Sequence, residues 1–164
     1  LALGSYDGLL RTLVLRMKTD ASELLADALA QLWWESHGRS VAATGVDAVT
    51  CVPMHPWKRW RRGVNAPAAI AERVAQQLAV PGWLGFLKKR RNRLPQKGLS
   101  RAGRLRNIRG GVFASTRYPI QSAHVLLVDD VLTTGATCHE SARIAKQAGA
   151  REVTVAVVAR ATTD

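Results

Sequence analysis

An α/β domain, with helices flanking a mostly parallel sheet, is the fold class this sequence predicts. Three observations carry it. Residues 46–52 (VDAVTCV), 125–128 and 152–158 (EVTVAVV) are short apolar runs rich in β-branched residues, the pattern of strands buried on both faces. The order strand, helix, strand across residues 125–158 is a βαβ unit, whose strands are parallel and whose crossover is right-handed. A chain of 164 residues, 47% of them hydrophobic, is long enough for one compact domain with a real core. The expected division is a single domain over 1–164, with N-terminal helices in 5–36, a core in 46–79 and 123–160, and a flexible loop region over 81–114.

The elements follow in order. Leu9, Leu10, Leu13, Val14 and Met17 recur at i, i+3, i+4 spacing, which predicts an amphipathic helix over 6–18. Asp20 or Ser22 suits the cap of a second helix, which runs through Leu24, Leu25, Ala28, Leu29, Leu32 and Trp33 to about residue 36. His37-Gly38 is expected to end it. Pro53 stops the strand over 46–52, and a basic loop over 54–65 follows. A third helix is predicted over 67–78, with Ala69, Ile70, Val74 and Leu78 on one face and Pro67 in its first turn. Residues 81–113 are the least regular. Stretches 83–87 and 111–114 read as paired strands around a run of Lys, Arg, Gly and Asn that is expected to be exposed and mobile. Strand 125–128, a Gly-containing turn over 133–136, a helix over 137–148 closed by Gly149, and strand 152–158 complete the chain.

Composition narrows the partners. Twenty-four basic residues against 12 acidic ones give a formal charge of +12, which points to an anionic partner: nucleotide, pyrophosphate, nucleic acid or acidic protein. Cys51 and Cys138 belong to no C-x-x-C pair, so these cysteines build no zinc site. They read as two small buried hydrophobes, with a disulfide as the alternative. No apolar run reaches the roughly 18 residues that span a bilayer and no secretory signal is visible. No membrane partner is expected, and the expected location is cytoplasmic. His37, His124 and His139 form no ligand spacing.

The strongest feature is VLLVDDVLTTGAT, residues 125–137. A buried strand delivers the chain to the carboxyl edge of the sheet, where α/β folds place ligands. Asp129 and Asp130 are expected where that strand ends. Thr133, Thr134, Gly135, Ala136 and Thr137 make a small, hydroxyl-rich turn, and a helix begins with its N–H groups and positive dipole end facing it. A phosphate monoester fits such a turn, since backbone N–H groups form a nest and hydroxyls donate further hydrogen bonds. The carboxylates repel that phosphate. They suit a ribose diol instead, because ionised carboxylates only accept. Phosphate and diol recognition a few residues apart describes a ribose 5-phosphate. A metal or phosphoacceptor pocket is the alternative for the acids, and an ordinary helix N-terminus is the alternative for the turn. No Walker loop and no G-x-G-x-x-G fingerprint occurs.

This stretch resembles the phosphoribosyl pyrophosphate (PRPP) motif of type I phosphoribosyltransferases. The resemblance implies that Asp129 and Asp130 contact the ribose hydroxyls and carry the site's chemistry, and that Thr133, Thr134, Gly135, Ala136 and Thr137 hold the 5-phosphate. Residues 51–75 (CVPMHPWKRWRRGVNAPAAIAERVA), 94–113 (LPQKGLSRAGRLRNIRGGVF) and the Tyr6-Asp7-Gly8 to Lys18 opening are similar to segments of the ComF family, the competence-protein phosphoribosyltransferase-like group. Together these segments cover nearly the whole chain. Two features depart from that family. Its members often begin with a Cys-rich, zinc-ribbon-like module, of which nothing is present in this sequence, and Ala66 stands where the family usually has Gln.

The basic loops extend the reading. Met54, His55, Lys58, Arg61 and Arg62 lie just beyond the first buried strand, on the edge where the phosphate turn is expected, and cations there suit a pyrophosphate. Trp57 and Trp60 are interleaved with them, so a patch that stacks single-stranded nucleic acid is the rival reading. Type I enzymes close a flexible hood over PRPP, which the resemblance places at Gln96, Lys97, Arg101 and Arg104; closure excludes water and brings cations to the leaving group. The implied reaction is Mg²⁺-dependent transfer of ribose 5-phosphate to an unknown nucleophile with release of pyrophosphate. The metal has no direct protein ligand in this reading, and Asp129 or Asp130 orients it through water. The alternatives are a non-catalytic PRPP-binding regulator and a single-stranded nucleic-acid-binding accessory of DNA uptake. A homo-oligomer is also left open.

Overall fold

The computed structural model describes residues 1–19, 23–54, 65–89 and 111–161. Its main sheet is built from β1 (Ala2–Ser5), β2 (Ala48–Cys51), β5 (His124–Leu132) and β6 (Glu152–Arg160), in the order β1-β6-β5-β2, and every pairing is parallel. The sheet's side chains alternate between two apolar clusters, which is why its strands read as unbroken apolar runs. Val49, Cys51, Leu126, Val128, Ala156 and Val158 face helices α1 (Gly8–Thr19), α2 (Glu23–Ala42) and α3 (Ala66–Leu78). Ala48, Val52, Val125 and Leu127 face α4 (Ala136–Gln147) and a small antiparallel pair, β3 (Leu87–Lys89) with β4 (Val112–Ala114). The result is the expected mostly parallel sheet flanked by helices.

Several boundaries differ from expectation for physical reasons. β1 was invisible in sequence: its four residues, ALGS, carry no β-branched side chain. Pairing with β6, from Ala2 opposite Val157 to Ser5 opposite Arg160, makes it a strand. α2 does not end at His37-Gly38 but runs on to Ala42. A Cβ at Gly38 would lie 2.6 Å from Trp34 Cδ2, so that glycine makes room for a ring within the helix and is not a stop. Leu9, expected on the apolar face of α1, is 74% exposed, whereas Val14 and Met17 are buried. The strand expected over 83–87 starts only at Leu87. Before it, residues 81–83 lie along the free side of β2, with the Trp83 N–H donating to the Val49 carbonyl at 2.7 Å. The proposed caps Asp20 and Ser22 lie outside the described residues.

His124 is a satisfied core histidine. Nδ1 lies 3.2 Å from the Thr44 carbonyl and Nε2 lies 2.9 Å from Thr154 Oγ1, at the end of β5 remote from the acids. Cys51 and Cys138 are both buried, and no disulfide joins them. No described helix is long and apolar enough to cross a membrane.

Candidate phosphate and carboxylate site

β5 does not stop before the acids. Its ladder with β6 continues through Asp129 opposite Val157 and Val131 opposite Ala159 to Leu132 opposite Arg160. β6 is itself longer than expected, so the carboxyl edge of the sheet lies four residues beyond the predicted strand end at Val128. Strand alternation then sends two adjacent carboxylates to different neighbours. Asp129 meets α4, where it accepts a hydrogen bond from Cys138 Sγ at 3.4 Å. Asp130 meets α1, where Lys18 Nζ lies 2.9 Å from its Oδ2. The Asp130 N–H also donates to Asp129 Oδ1 at 2.9 Å.

The two acids are therefore electrostatically unequal. Burial, and then the neighbouring Asp130 charge, push the Asp129 carboxyl up to about 6. Lys18 opposes that rise without cancelling it. The Cys138 thiol is pushed well above its usual range by burial and by the Asp129 charge, so it stays protonated and acts as a donor. Neither Lys18 nor Cys138 was singled out by sequence reasoning as part of the site. The signal for Lys18 lay in the Tyr6-to-Lys18 opening, but its partner is remote in sequence.

Beyond Leu132 the chain turns through Thr133 and Thr134, both exposed, to Gly135. Gly135 caps α4 with φ 71° and ψ −4°, a left-handed conformation that glycine adopts without cost. The helix begins at Ala136, one residue earlier than expected, and its first turn closes with the His139 N–H on the Gly135 carbonyl at 2.8 Å. Helix geometry leaves the N–H groups of that turn without intrahelical acceptors. Thr134 Oγ1 receives the Ala136 N–H only weakly, at 3.5 Å. Ala136 and Thr137 are half-buried in the first turn. The structure thus brings all five turn residues to one helix mouth, directly after the acids.

β2 leaves the sheet on the same edge. Cys51 pairs with Val128, and the Val52 N–H donates to the Val128 carbonyl at 2.8 Å. Half-buried Met54 follows two residues later. His55, Lys58, Arg61 and Arg62, and likewise Gln96, Lys97, Arg101 and Arg104, lie outside the described residues. Among the described residues no group of three or more His, Cys, Asp or Glu side chains is placed to hold a metal ion. A hydrated Mg²⁺ keeps several waters and takes one or two carboxylates alongside substrate phosphates, so either one of these acids fits its needs.

The chain is similar to known proteins in sequence and in fold. The sequence profile of the phosphoribosyl transferase domain matches residues 67–164. Competence protein F of Haemophilus influenzae is 30% identical over 116 residues, covering 70% of this chain and 51% of that protein. The DNA utilization protein YhgH of Salmonella typhi is 29% identical over 157 residues, covering 94% of this chain and 68% of its own length. The chain therefore spans about half of the first relative and about two thirds of the second. Among solved structures, an adenine phosphoribosyltransferase superposes with a TM-score of 0.55 at 13% identity, over 87% of this chain and 72% of its own, so the likeness is one of fold. With the profile match spanning more than half its length, the chain belongs to the phosphoribosyl transferase domain family, with Competence protein F and YhgH among its relatives.

Proposed function

We propose that this chain binds PRPP at the carboxyl edge of its parallel sheet and transfers the ribose 5-phosphate to a nucleophile with release of pyrophosphate. One observation carries the reading: tandem carboxylates near the carboxyl end of β5 lead through Val131 and Leu132 into a Thr-Gly turn that opens α4, with Gly135 in the left-handed conformation. In this reading the N–H groups of the first turn of α4, with Thr133, Thr134 and Thr137, hold the 5-phosphate. Asp129 and Asp130 accept from the ribose hydroxyls. Met54, His55, Lys58, Arg61 and Arg62 follow β2 and face the pyrophosphate, and the segment with Gln96, Lys97, Arg101 and Arg104 covers it. Bound Mg²⁺ would neutralise charge on the leaving pyrophosphate, with Asp129 or Asp130 orienting it through water. A new bond forms from the nucleophile to the ribosyl carbon as the bond to the pyrophosphate oxygen breaks. The protein's share is positioning and charge stabilisation.

Calorimetry with PRPP and Mg²⁺ tests this directly. The expected outcome is binding in the micromolar range, about tenfold or more weaker in Asp130→Asn because a charge-assisted hydrogen bond is lost. Absence of PRPP binding in the unsubstituted protein would sink the reading. Binding without pyrophosphate release across a wide panel of acceptors would identify a PRPP-responsive regulator instead.

A second reading is favoured by the charge of +12 and by relatives named for competence and DNA utilization. In it the basic segments bind single-stranded nucleic acid, and the chain serves DNA uptake.

A further inference from the structure

We propose that Lys18 is a positioning residue of the sugar-phosphate site, holding the Asp130 carboxylate in place so that its second oxygen is free to accept from a ribose hydroxyl. This inference rests on the PRPP reading above and adds a residue from outside the motif.

The geometry supports it in three ways. Lys18 is delivered by packed structure. β1 pairs with β6 and ends at the carboxyl edge, where Gly8 starts α1. Twelve helical residues span roughly 18 Å, enough to carry the chain past β6 to β5. Val14 and Met17 are buried against the core, at 0% and 1% exposure, and Lys18 follows Met17 in the last turn, where a cation also complements the helix dipole.

The contact is also sheltered. Lys18 and Asp130 side chains are 20% and 14% exposed, with Nζ 2.9 Å from Oδ2. An ion pair this covered is less screened than a surface pair, and removing one partner leaves the other charge uncompensated. Finally, the contact uses one oxygen. Oδ1 of Asp130 has no hydrogen-bond partner among the described residues, and an ionised carboxylate retains accepting capacity after one cation has engaged it. Two adjacent carboxylates would otherwise repel each other and an incoming phosphate. Lys18 offsets one of those charges without occupying the site's second acid.

The test compares Lys18→Met and Lys18→Arg with the unsubstituted protein. Three probes are used: PRPP with Mg²⁺, ribose 5-phosphate, and inorganic phosphate followed by ³¹P NMR. Lys18→Met is expected to weaken PRPP and ribose 5-phosphate by about tenfold. Inorganic phosphate, which needs only the turn, should bind within about twofold of the unsubstituted protein, and Lys18→Arg should recover most of the loss. A ligand-free readout accompanies these. Among the described residues Lys18 from α1 contacts Asp130, while Cys138 from α4 and the Asp130 N–H contact Asp129. Loss of Lys18 should therefore raise the Asp129 midpoint, followed by its carboxyl carbon shift, above its starting value.

Unchanged ribose 5-phosphate affinity in Lys18→Met overturns the role of Lys18 and leaves PRPP binding standing. An equal loss of inorganic phosphate shows a merely structural role and overturns it too. If the unsubstituted protein binds none of the three probes, the PRPP reading itself fails and takes this inference with it.

Discussion

Asp129 carries a cost that its position imposes. Its carboxyl is raised to about 6 by burial and by Asp130, so the folded state holds the proton more tightly than the unfolded chain does. At pH values below the ordinary carboxylate range both states are protonated and the fold bears no penalty. As pH rises through about 6, the folded protein must bury a charge, and stability falls. Asp129→Asn should therefore stabilise the protein at pH 8, by on the order of 2 kcal/mol, and change little near pH 3.5, as read by chemical denaturation at both pH values. PRPP binding should weaken in the same variant, because a site that binds well is often one that is costly to fold. Two glycines give a second comparison. A Cβ at Gly135 would meet only Leu132 Cδ1 at 3.6 Å, so Gly135→Ala costs conformational energy alone, about 1 kcal/mol. Gly149 has φ 118°, further from the left-handed well that side-chain-bearing residues tolerate, while the Gln121 amide that an added Cβ would meet ends an exposed, flexible side chain and can move aside. Gly149→Ala should cost more, about 2–3 kcal/mol, and equal losses in equilibrium unfolding would contradict that ranking.

At the scale of elements, the site depends on how far each strand runs. The predicted strand over 125–128 stops at Val128 because Asp-Asp breaks an apolar pattern. The ladder to β6 carries it four residues further, to Leu132. Tertiary pairing thus overrides local propensity. The same holds at the other edge of the sheet. Thr50, fully buried in β2, donates from Oγ1 to the Trp83 carbonyl at 2.8 Å, and so ties residues 81–83 to the strand that leads toward Met54. Thr50→Val keeps the shape and leaves that carbonyl with the Phe86 N–H alone, at 3.0 Å. The expected loss is about 1 kcal/mol in unfolding free energy, and a neutral result would show that the backbone contacts of Trp83 with Val49 and Phe86 suffice.

For the whole molecule the dominant property is charge. One PRPP needs fewer cations than a chain of +12 supplies, and the surplus is what a polyanion would use. Arg90, Arg91 and Arg93, in the segment rich in basic residues, lie outside the described residues. Their reversal to Glu should abolish single-strand affinity while leaving PRPP binding nearly intact. Single-strand affinity in the unsubstituted protein should also fall steeply with added salt, as counterion release requires. Salt-independent binding in a fluorescence anisotropy titration would exclude that role for the basic segments.

The α/β class, the four helices and the run from acids to Thr-Gly turn were legible in sequence, because each is a local pattern: apolar spacing, β-branched runs, or a small-residue turn before a helix. Length of β5, existence of β1 and continuation of α2 through Gly38 were not, since each depends on a neighbour that local propensity does not contain. The asymmetry of the two acids belongs to the same class. In sequence Asp129 and Asp130 are identical neighbours. In the fold one is set against a thiol nine residues onward and the other against the Lys18 ammonium, near the other end of the sequence. Sequence alone determined the order of acids, Thr-Gly turn and helix, and tertiary structure decided the charge and company of each acid, because alternation along a strand and the crossing of a distant helix are non-local.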